Sequence, residues 1–336
     1  MSSSSNILFI FADQHRHDVM GCAGHELVAT PELDDLANQG VRFTEAWCQS
    51  PICQPSRASI ITGRYAHELD VTHNTGGFDP KWPTVMKQLQ KAGYETASIG
   101  KTHYHESYQP PKDEGDIDMR SYEPFVRSFG WDYVLEEYDK YLHTEDRLRT
   151  PYTDYLEGHK LLDAYKNQIR GVFRLTDSHW RGETSVLPQE HDLSSFLADK
   201  AEKWLRQRDK TKPFFLKLAF VQPHVPLIDD PDWAKYYGNA SISIPDQKPV
   251  EAINKTWASY LEQLEGHSQT QVMNDEFIRK GIRHYLGMVS LMDQKIGEVI
   301  STLQALGQLE DTWIIYTSDH GEMLGEHGLW AKMNFY

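Results

Sequence analysis

Three short apolar runs, each followed by polar residues, constrain the fold of this chain more than any other feature. They lie at 6–12 (NILFIFA), 213–220 (PFFLKLAF) and 312–317 (TWIIYT). A run with so few polar interruptions predicts a strand that is buried on both faces, as in a parallel sheet covered by helices. The polar residues that follow these runs include Asp13, Gln14, His224, Asp319 and His320.

Helical patterns separate these runs along the chain. Pro31 begins the first, which Gly40 closes, and amphipathic patterns follow at 83–92, 193–208 and 276–306. Two further strands are predicted at 41–48 and 94–100. The alternation predicts an α/β protein with a mostly parallel central sheet and helices on both faces. Since ligands bind beyond the carboxyl ends of such strands, we expect the polar residues named above to meet there.

Residues 102–190 interrupt this alternation. The stretch is rich in Tyr, Asp, Arg, His and Pro and shows no clear period. Its aromatic content is too high for a disordered linker, so we interpret it as an insertion that shapes the substrate pocket. The whole chain, 1–336, is then one catalytic domain with this insertion inside it.

The acidic balance of the chain excludes some classes of function. Its 336 residues carry a net charge of −15, whereas a broad nucleic-acid or anionic-membrane surface needs a basic face. No apolar run approaches the roughly 20 residues of a membrane span, and none resembles a signal peptide. We therefore expect a cytoplasmic protein from the chain as given, or a periplasmic or secreted one if it is a processed fragment. A homo-oligomer is compatible with this composition.

The strongest local motif runs from Cys53 to Arg57 (CQPSR). Pro55 favours the first turn of a helix, which would place Cys53 at a helix N-terminus, where free N–H groups and the helix dipole attract anions. Arg57 adds a planar donor that suits sulfate or phosphate oxygens. Cys53 has two simpler interpretations, a buried unmodified thiol or a disulfide with Cys48, although three cysteines do not indicate a disulfide framework.

The segment CQPSRASIITGR resembles the signature of the sulfatase family, Cys-x-Pro-Ser-Arg-x-x-x-x-Thr-Gly. Further segments resemble other motifs of that family in the same order: 6–14, 100–103 (GKTH), 223–226 (PHVP), 317–322 (TSDHGE) and Lys332. The resemblance implies an alkaline phosphatase-like fold. It also implies that a formylglycine-generating enzyme converts Cys53 to formylglycine (3-oxoalanine), whose hydrated form is the nucleophile.

The resemblance further implies a divalent metal beside this nucleophile. Its ligands would be Asp13, Gln14, Asp319 and His320. Such an oxygen-rich set favours Ca²⁺, with Mn²⁺ or Mg²⁺ as alternatives. Taken alone, Asp13 could equally end a strand or cap a turn.

The remaining implied roles concern the sulfate group. Arg57, Lys101 and Lys332 would neutralise its oxygens in the transition state. His224 or Lys332 would protonate the leaving alcohol, while Asp319 and His103 would accept protons from the two hydroxyls of the nucleophile. Lys101, His224 and Lys332 would also bind substrate, and Asn74 would orient the nucleophile or the substrate.

Two positions and the end of the chain depart from most of the family. Gln14 and His320 stand where many members have Asp and Asn, which resembles the branch of choline sulfatases and phosphonate monoester hydrolases. The chain ends at Tyr336, before the C-terminal subdomain that members usually carry, so we expect this subdomain to be missing.

Three functions follow as hypotheses. The first is a sulfuric ester hydrolase that acts on a small-molecule or carbohydrate sulfate. The second is a phosphonate monoester or phosphodiester hydrolase, because sulfur and phosphorus centres share tetrahedral oxyanion geometry. The third is an inactive metal-binding fragment.

Overall fold

The computed structural model describes residues 5–105, 115–174, 181–245 and 274–333. Its strands are β1 (Asn6–Asp13), β2 (Glu95–Gly100), β3 (Ile117–Asp118), β4 (Tyr133–Glu136), β5 (Leu148–Arg149), β6 (Glu183–Thr184), β7 (Phe214–Pro223), β8 (Ile228–Asp229) and β9 (Thr312–Ser318). Five of these strands form a parallel central sheet in the order β4-β2-β7-β1-β9. The pairs β3–β5 and β6–β8 form two small separate sheets.

The helices lie between these strands along the chain. They are α1 (Pro31–Gln39), α2 (Cys53–Thr62), α3 (Val85–Lys91), α4 (Glu123–Arg127), α5 (Pro151–Gly158), α6 (Leu162–Arg174), α7 (Leu193–Gln207), α8 (Pro231–Tyr237) and α9 (Asp275–Ala305). Side chains cap the two longest: Asp192 accepts a hydrogen bond from the first turn of α7, and Asn274 does so for α9. Within the described ranges, no helix combines the length and the apolar character that a bilayer span requires.

Alternate residues of β1 show why helices cover both faces of the sheet. Leu8 and Ile10 are fully buried in a core cluster that includes Leu197 of α7. Phe9 points the other way and packs against a second cluster, which includes Ile61 of α2. Both faces of the strand are therefore apolar, as a strand between two helical layers requires. The prediction of an α/β protein with a mostly parallel sheet and helices on both faces is confirmed.

The predicted strand at 41–48 is absent, and that prediction is wrong. Every residue of the segment is exposed, including Val41, Phe43 and Trp47 at 80%, 81% and 83%. Branched and aromatic residues favour a strand only where they can pack on a neighbouring surface. No strand of the described ranges pairs with this segment, so its composition alone does not produce one.

Residues 102–190 contain more regular structure than their sequence pattern indicates. Strand β4 lies in this range and pairs with β2, with Leu135 opposite Ile99, so it belongs to the central sheet. Helices α5 and α6 contribute Leu156 and Ile169 to the core. Residues 106–114 and 175–180 lie outside the described residues. The assignment of the range to a substrate pocket stays a prediction.

Candidate active site

Three strands of the central sheet end at one edge and bring polar residues together there. Asp13 is the last residue of β1, His224 follows β7, and Asp319 follows β9. Two hydrogen bonds join the ends of β1 and β9: Asp319 N donates to Ala12 O at 3.2 Å, and Gln14 N donates to Asp319 Oδ1 at 3.0 Å. The structure therefore brings together residues from opposite ends of the chain.

Cys53 is the first residue of α2 and faces this edge. Its side chain is buried, and its Sγ lies 3.2 Å from His320 Nε2 and 3.8 Å from Asp13 Oδ1. Lys332 Nζ donates to the same sulfur at 2.8 Å. All three cysteines are free, so no disulfide joins Cys53 to Cys48. The side chain at position 53 thus lies between a carboxylate–imidazole pair and an ammonium group.

Arg57, one turn along α2, ties the two strand ends together. Its Nε donates to Asp319 Oδ2 at 2.8 Å, and its Nη2 lies 3.2 Å from Asp13 Oδ2. The third nitrogen, Nη1, donates to Lys101 O at 2.6 Å. The guanidinium is planar and rigid, so it can hold two carboxylates at a fixed separation. Much of its donor capacity is therefore used within the protein.

Lys101 follows β2 and lies between two carboxylates. Its Nζ donates to Asp13 Oδ2 and, at 2.5 Å, to Asp139 Oδ1. Burial alone would lower the pKa of Lys101, but these carboxylates raise it, so the ammonium stays charged. Burial alone would likewise raise the pKa of Asp13, yet Lys101 and the other nearby cations hold it well below its ordinary value.

His224 and Lys332 form a second pair beside the thiol. Lys332 Nζ lies 2.8 Å from His224 Nε2, and His224 Nδ1 lies 2.9 Å from Val225 O. Since an ammonium only donates, Nε2 accepts and Nδ1 carries the ring hydrogen. Burial alone would lower the pKa of Lys332, but the nearby Cys53 and Asp13 raise it.

His103 and Asn74 lie near the same residues. Burial, and then the Lys101 ammonium, lower the pKa of His103 well below its ordinary value. The lowered pKa keeps the imidazole neutral, and it makes the ring a weaker base than an ordinary histidine. Asn74 Oδ1 accepts a hydrogen bond from Gln54 N at 3.0 Å, in the first turn of α2. Asn74 therefore steadies the helix end that carries the thiol.

The donor set at this edge fits a divalent cation. Asp13, Cys53, Asp319 and His320 place four ligand atoms within 4.8 Å of one another. Burial lowers the pKa of His320, which keeps its ring neutral, as metal binding requires. Gln14 Oε1 is buried and accepts no hydrogen bond from the described residues, so it is an acceptor that a cation would satisfy. The structure thus brings together three of the four predicted ligands, Asp13, Asp319 and His320, and Gln14 as the fourth stays a prediction.

Three buried carboxylates that support the site had no role in the sequence interpretation. Asp139 binds the Lys101 ammonium, and Glu322 accepts a hydrogen bond from Gln14 Nε2. Glu136 Oε1 accepts from the backbone and the hydroxyl of Thr102, at 2.9 and 2.8 Å. Asp139 and Glu136 lie at the carboxyl end of β4, so recognition of that strand in the sequence would have placed both at the site.

These features define an α/β protein with a buried cysteine that lies between candidate metal ligands and a cationic donor. The sequence pattern of the Sulfatase family matches residues 5–335, and the chain belongs to this family.

Known proteins agree with this assignment. The choline-sulfatase of Rhizobium meliloti (strain 1021) is 27% identical over 333 residues, which cover 98% of this chain and 60% of that protein. The N-acetylglucosamine-6-O-sulfatase of Bacteroides thetaiotaomicron is 26% identical over 364 residues, with 98% and 60% covered. The chain thus spans about 60% of the length of these curated relatives.

The fold has a counterpart among solved structures. The phosphonate monoester hydrolase of Agrobacterium radiobacter matches with a TM-score of 0.75 at 22% sequence identity, over 99% of this chain and 66% of that one. This likeness confirms the predicted alkaline phosphatase-like fold class.

Proposed function

We propose that this chain forms the catalytic part of a sulfuric ester hydrolase, which cleaves a sulfate monoester to an alcohol and sulfate. A formylglycine made from Cys53 by a formylglycine-generating enzyme supplies the nucleophile. The observation that carries the proposal is the position of Cys53 Sγ, 3.2 Å from His320 Nε2 and 2.8 Å from Lys332 Nζ. A nucleophile at this point has candidate metal ligands on one side and a cationic donor on the other.

A divalent cation, with Ca²⁺ favoured over Mn²⁺ and Mg²⁺, would act here as a Lewis acid. The side chains of this chain account for the rest of the reaction. Lys101 and Lys332 bind the sulfate oxygens and offset the charge that grows on them. Arg57 adds to this field, but its bonds to Asp13 and Asp319 make its main contribution the placement of those carboxylates.

Three groups divide the proton transfers. Asp319 accepts the proton of the attacking hydroxyl. His224 relays a proton to the leaving alcohol: Nε2 takes it from the Lys332 ammonium, 2.8 Å away, and passes it to the oxygen of the leaving group. His103 is neutral, and it takes the second proton when sulfate leaves.

A carbohydrate sulfate is the favoured substrate, with a small-molecule sulfate as the alternative. One relative is named as an N-acetylglucosamine-6-O-sulfatase and another as a choline-sulfatase. The aromatic-rich segment 102–190, which is predicted to shape the pocket, also favours a sugar.

A phosphonate monoester or phosphodiester hydrolase is the second candidate. Gln14 and His320 favour it because they match the branch that includes such enzymes, and the fold resembles a phosphonate monoester hydrolase. Tetrahedral phosphorus and sulfur centres carry similarly placed oxygens, so the same lysines serve both. An inactive metal-binding fragment is the third candidate.

One experiment separates these candidates. The chain is coexpressed with a formylglycine-generating enzyme, and peptide mass spectrometry measures conversion at Cys53. Turnover of 4-nitrophenyl sulfate is then compared with turnover of 4-nitrophenyl phenylphosphonate, before and after chelation and on return of Ca²⁺. Cys53→Ala is the test variant, and Cys22→Ala, which changes another free cysteine, is its matched control.

We expect the aldehyde at position 53, faster turnover of the sulfate, loss of activity on chelation, and loss in Cys53→Ala but not in Cys22→Ala. Faster turnover of the phosphonate would select the second candidate. Full conversion of Cys53 without turnover of either ester would contradict both hydrolase proposals and leave the third.

A further inference from the structure

We propose that Asp139 is a positioning residue that holds Lys101 and His224 side by side, and thereby assists proton transfer to the leaving alcohol. The inference rests on the proposed hydrolase function and deepens it.

Asp139 lies in the segment that directly follows β4, at the edge where the other strands end. Its side chain is buried, at 3% exposure of the residue. Its Oδ1 accepts a hydrogen bond from Lys101 Nζ at 2.5 Å and lies 3.8 Å from His224 Nδ1. Asp139, Asp13 and His224 also bring three polar atoms within 4.8 Å of one another. The Lys101 ammonium is bonded to both carboxylates of this group, so a protein cation already occupies the place between them.

The hydrogen bonds of His224 show what a carboxylate can do at this position. Nε2 accepts from Lys332, so Nδ1 carries the hydrogen and donates it to Val225 O at 2.9 Å, while Asp139 Oδ1 lies 3.8 Å from the same nitrogen. When Nε2 takes a proton from the Lys332 ammonium, the ring becomes a cation, and the Asp139 carboxylate, 3.8 Å from Nδ1, stabilises it. The imidazolium then passes the Nε2 proton to the alkoxide oxygen as the S–O bond breaks. The ring returns to the neutral form with its Nδ1 hydrogen in place, and Lys332, which supplied the proton, regains one from solvent, so charge and protons balance.

Asp139 also has a simpler interpretation, as a structural partner of Lys101 alone. Lys101 is bonded to Asp13 as well, so its charge has a second partner without Asp139. A role through Lys101 would affect all esters equally, because Lys101 binds the sulfate group that they share. A role through His224 affects esters according to how much help their leaving group needs. The two roles can therefore be separated by the choice of leaving group.

The test compares Asp139→Asn with the unchanged, Cys53-converted chain on 4-nitrophenyl sulfate and phenyl sulfate. Nitrophenolate leaves without much help, whereas phenolate needs a proton in the transition state. Asp146→Asn is the matched control, since Asp146 has a side chain 77% exposed and pairs with Lys166 and Arg170 on the surface. Thermal melts establish that each variant folds.

We expect Asp139→Asn to lower kcat for phenyl sulfate by about 10- to 100-fold, and to lower it for 4-nitrophenyl sulfate several times less. Asp146→Asn should change neither. If Asp139→Asn does not fold, Asp139→Glu makes the same comparison, because it keeps the charge and displaces the carboxylate by one methylene.

Three results would overturn the inference. Equal losses for the two esters, or no loss, would reject the link to His224 and leave the proposed function standing. A fully converted chain that hydrolyses neither a sulfate nor a phosphonate would reject the proposed function itself, and this inference with it. If the chain prefers phosphonates, the same pair of leaving groups is compared on phosphonate esters.

Discussion

Replacement of Arg57 by Met should destabilise the folded chain, and a divalent cation should offset much of that loss. Arg57 is 1% exposed and lies 2.8 Å from Asp319 and 3.2 Å from Asp13. Met keeps an apolar stem of similar length but removes the charge. Asp13 would then share Lys101 with Asp139, and Asp319 would lose the cation that donates to it at 2.8 Å.

The size of the effect follows from the burial of these charges. Removal of one partner of a buried ion pair costs about 3–5 kcal/mol, because the other charge stays buried. The unfolding entropy of a 336-residue chain is about 0.7 kcal/mol per kelvin. The melting temperature should therefore fall by about 4–7 °C in the absence of a cation. A cation held by Asp13 and Asp319 would replace the lost charge, so it should bind the variant more tightly than the unchanged chain. The difference in melting temperature between the two chains should then shrink by about half.

Differential scanning calorimetry of both chains, after chelation and then with millimolar CaCl₂, measures these differences. Arg64→Met is the matched control, because the Arg64 side chain is 42% exposed and lies 3.5 Å from Glu68 on the surface. It should change stability by less than about 1 kcal/mol. If the difference between Arg57→Met and the unchanged chain were the same with and without Ca²⁺, Arg57 and the cation would not share these carboxylates, and the reasoning would be refuted.

Two further predictions concern the layer beneath the site. Gly100 has a φ of 99°, and an added Cβ would collide with the Ala219 carbonyl oxygen, so Gly100→Ala should lower the free energy of unfolding by about 2 kcal/mol or more in urea titrations. Gly158→Ala is the control, because the space around its Cβ is open, and an equal effect at both positions would contradict the argument. Burial and then Arg57 lower the pKa of Lys217 from its ordinary 10.5 to about 7. Between these two pH values the folded chain binds fewer protons than the unfolded chain, so the free energy of unfolding should rise with pH. Lys217→Met should reduce this rise, measured by urea titrations at several pH values. If the slope of the free energy of unfolding against pH were unchanged, the rise would come from other groups.

The long strands and the meeting of their polar ends can be predicted because two strong rules apply to them. Runs such as 213–220 are apolar enough to be recognised as buried strands, and parallel strands place their carboxyl ends at one edge. Asp13 and Asp319 are 306 residues apart in the sequence, yet their meeting follows from those rules alone. The segment at 41–48 shows the limit of the first rule, since its composition favours a strand that no neighbouring surface supports.

Short elements give the sequence too little pattern to interpret. Strand β4 has four residues, Tyr133–Glu136, and only two consecutive aliphatic side chains, so no period can be recognised. Asp139 follows this strand, and it was therefore missed together with Glu136. The packing of Arg57 was equally inaccessible, because a motif gives the residue type but not the groups that its donors bind. Here Nε donates to Asp319, Nη1 donates to the Lys101 carbonyl, and Nη2 lies 3.2 Å from an oxygen of Asp13.

The balance of charge at the site explains how an acidic chain could select a sulfate. The buried carboxylates of Asp13, Asp139 and Asp319 are matched by the cations of Arg57, Lys101 and Lys332. Because the protein's own cations already balance these carboxylates, a divalent cation would give the site a net positive charge. An anionic ester should therefore strengthen binding of the cation, and the cation should strengthen binding of the ester. The net charge of −15 gives no long-range attraction for polyanions. Recognition should therefore be local, at the point where the N-terminus of α2 and Lys332 meet the candidate metal ligands.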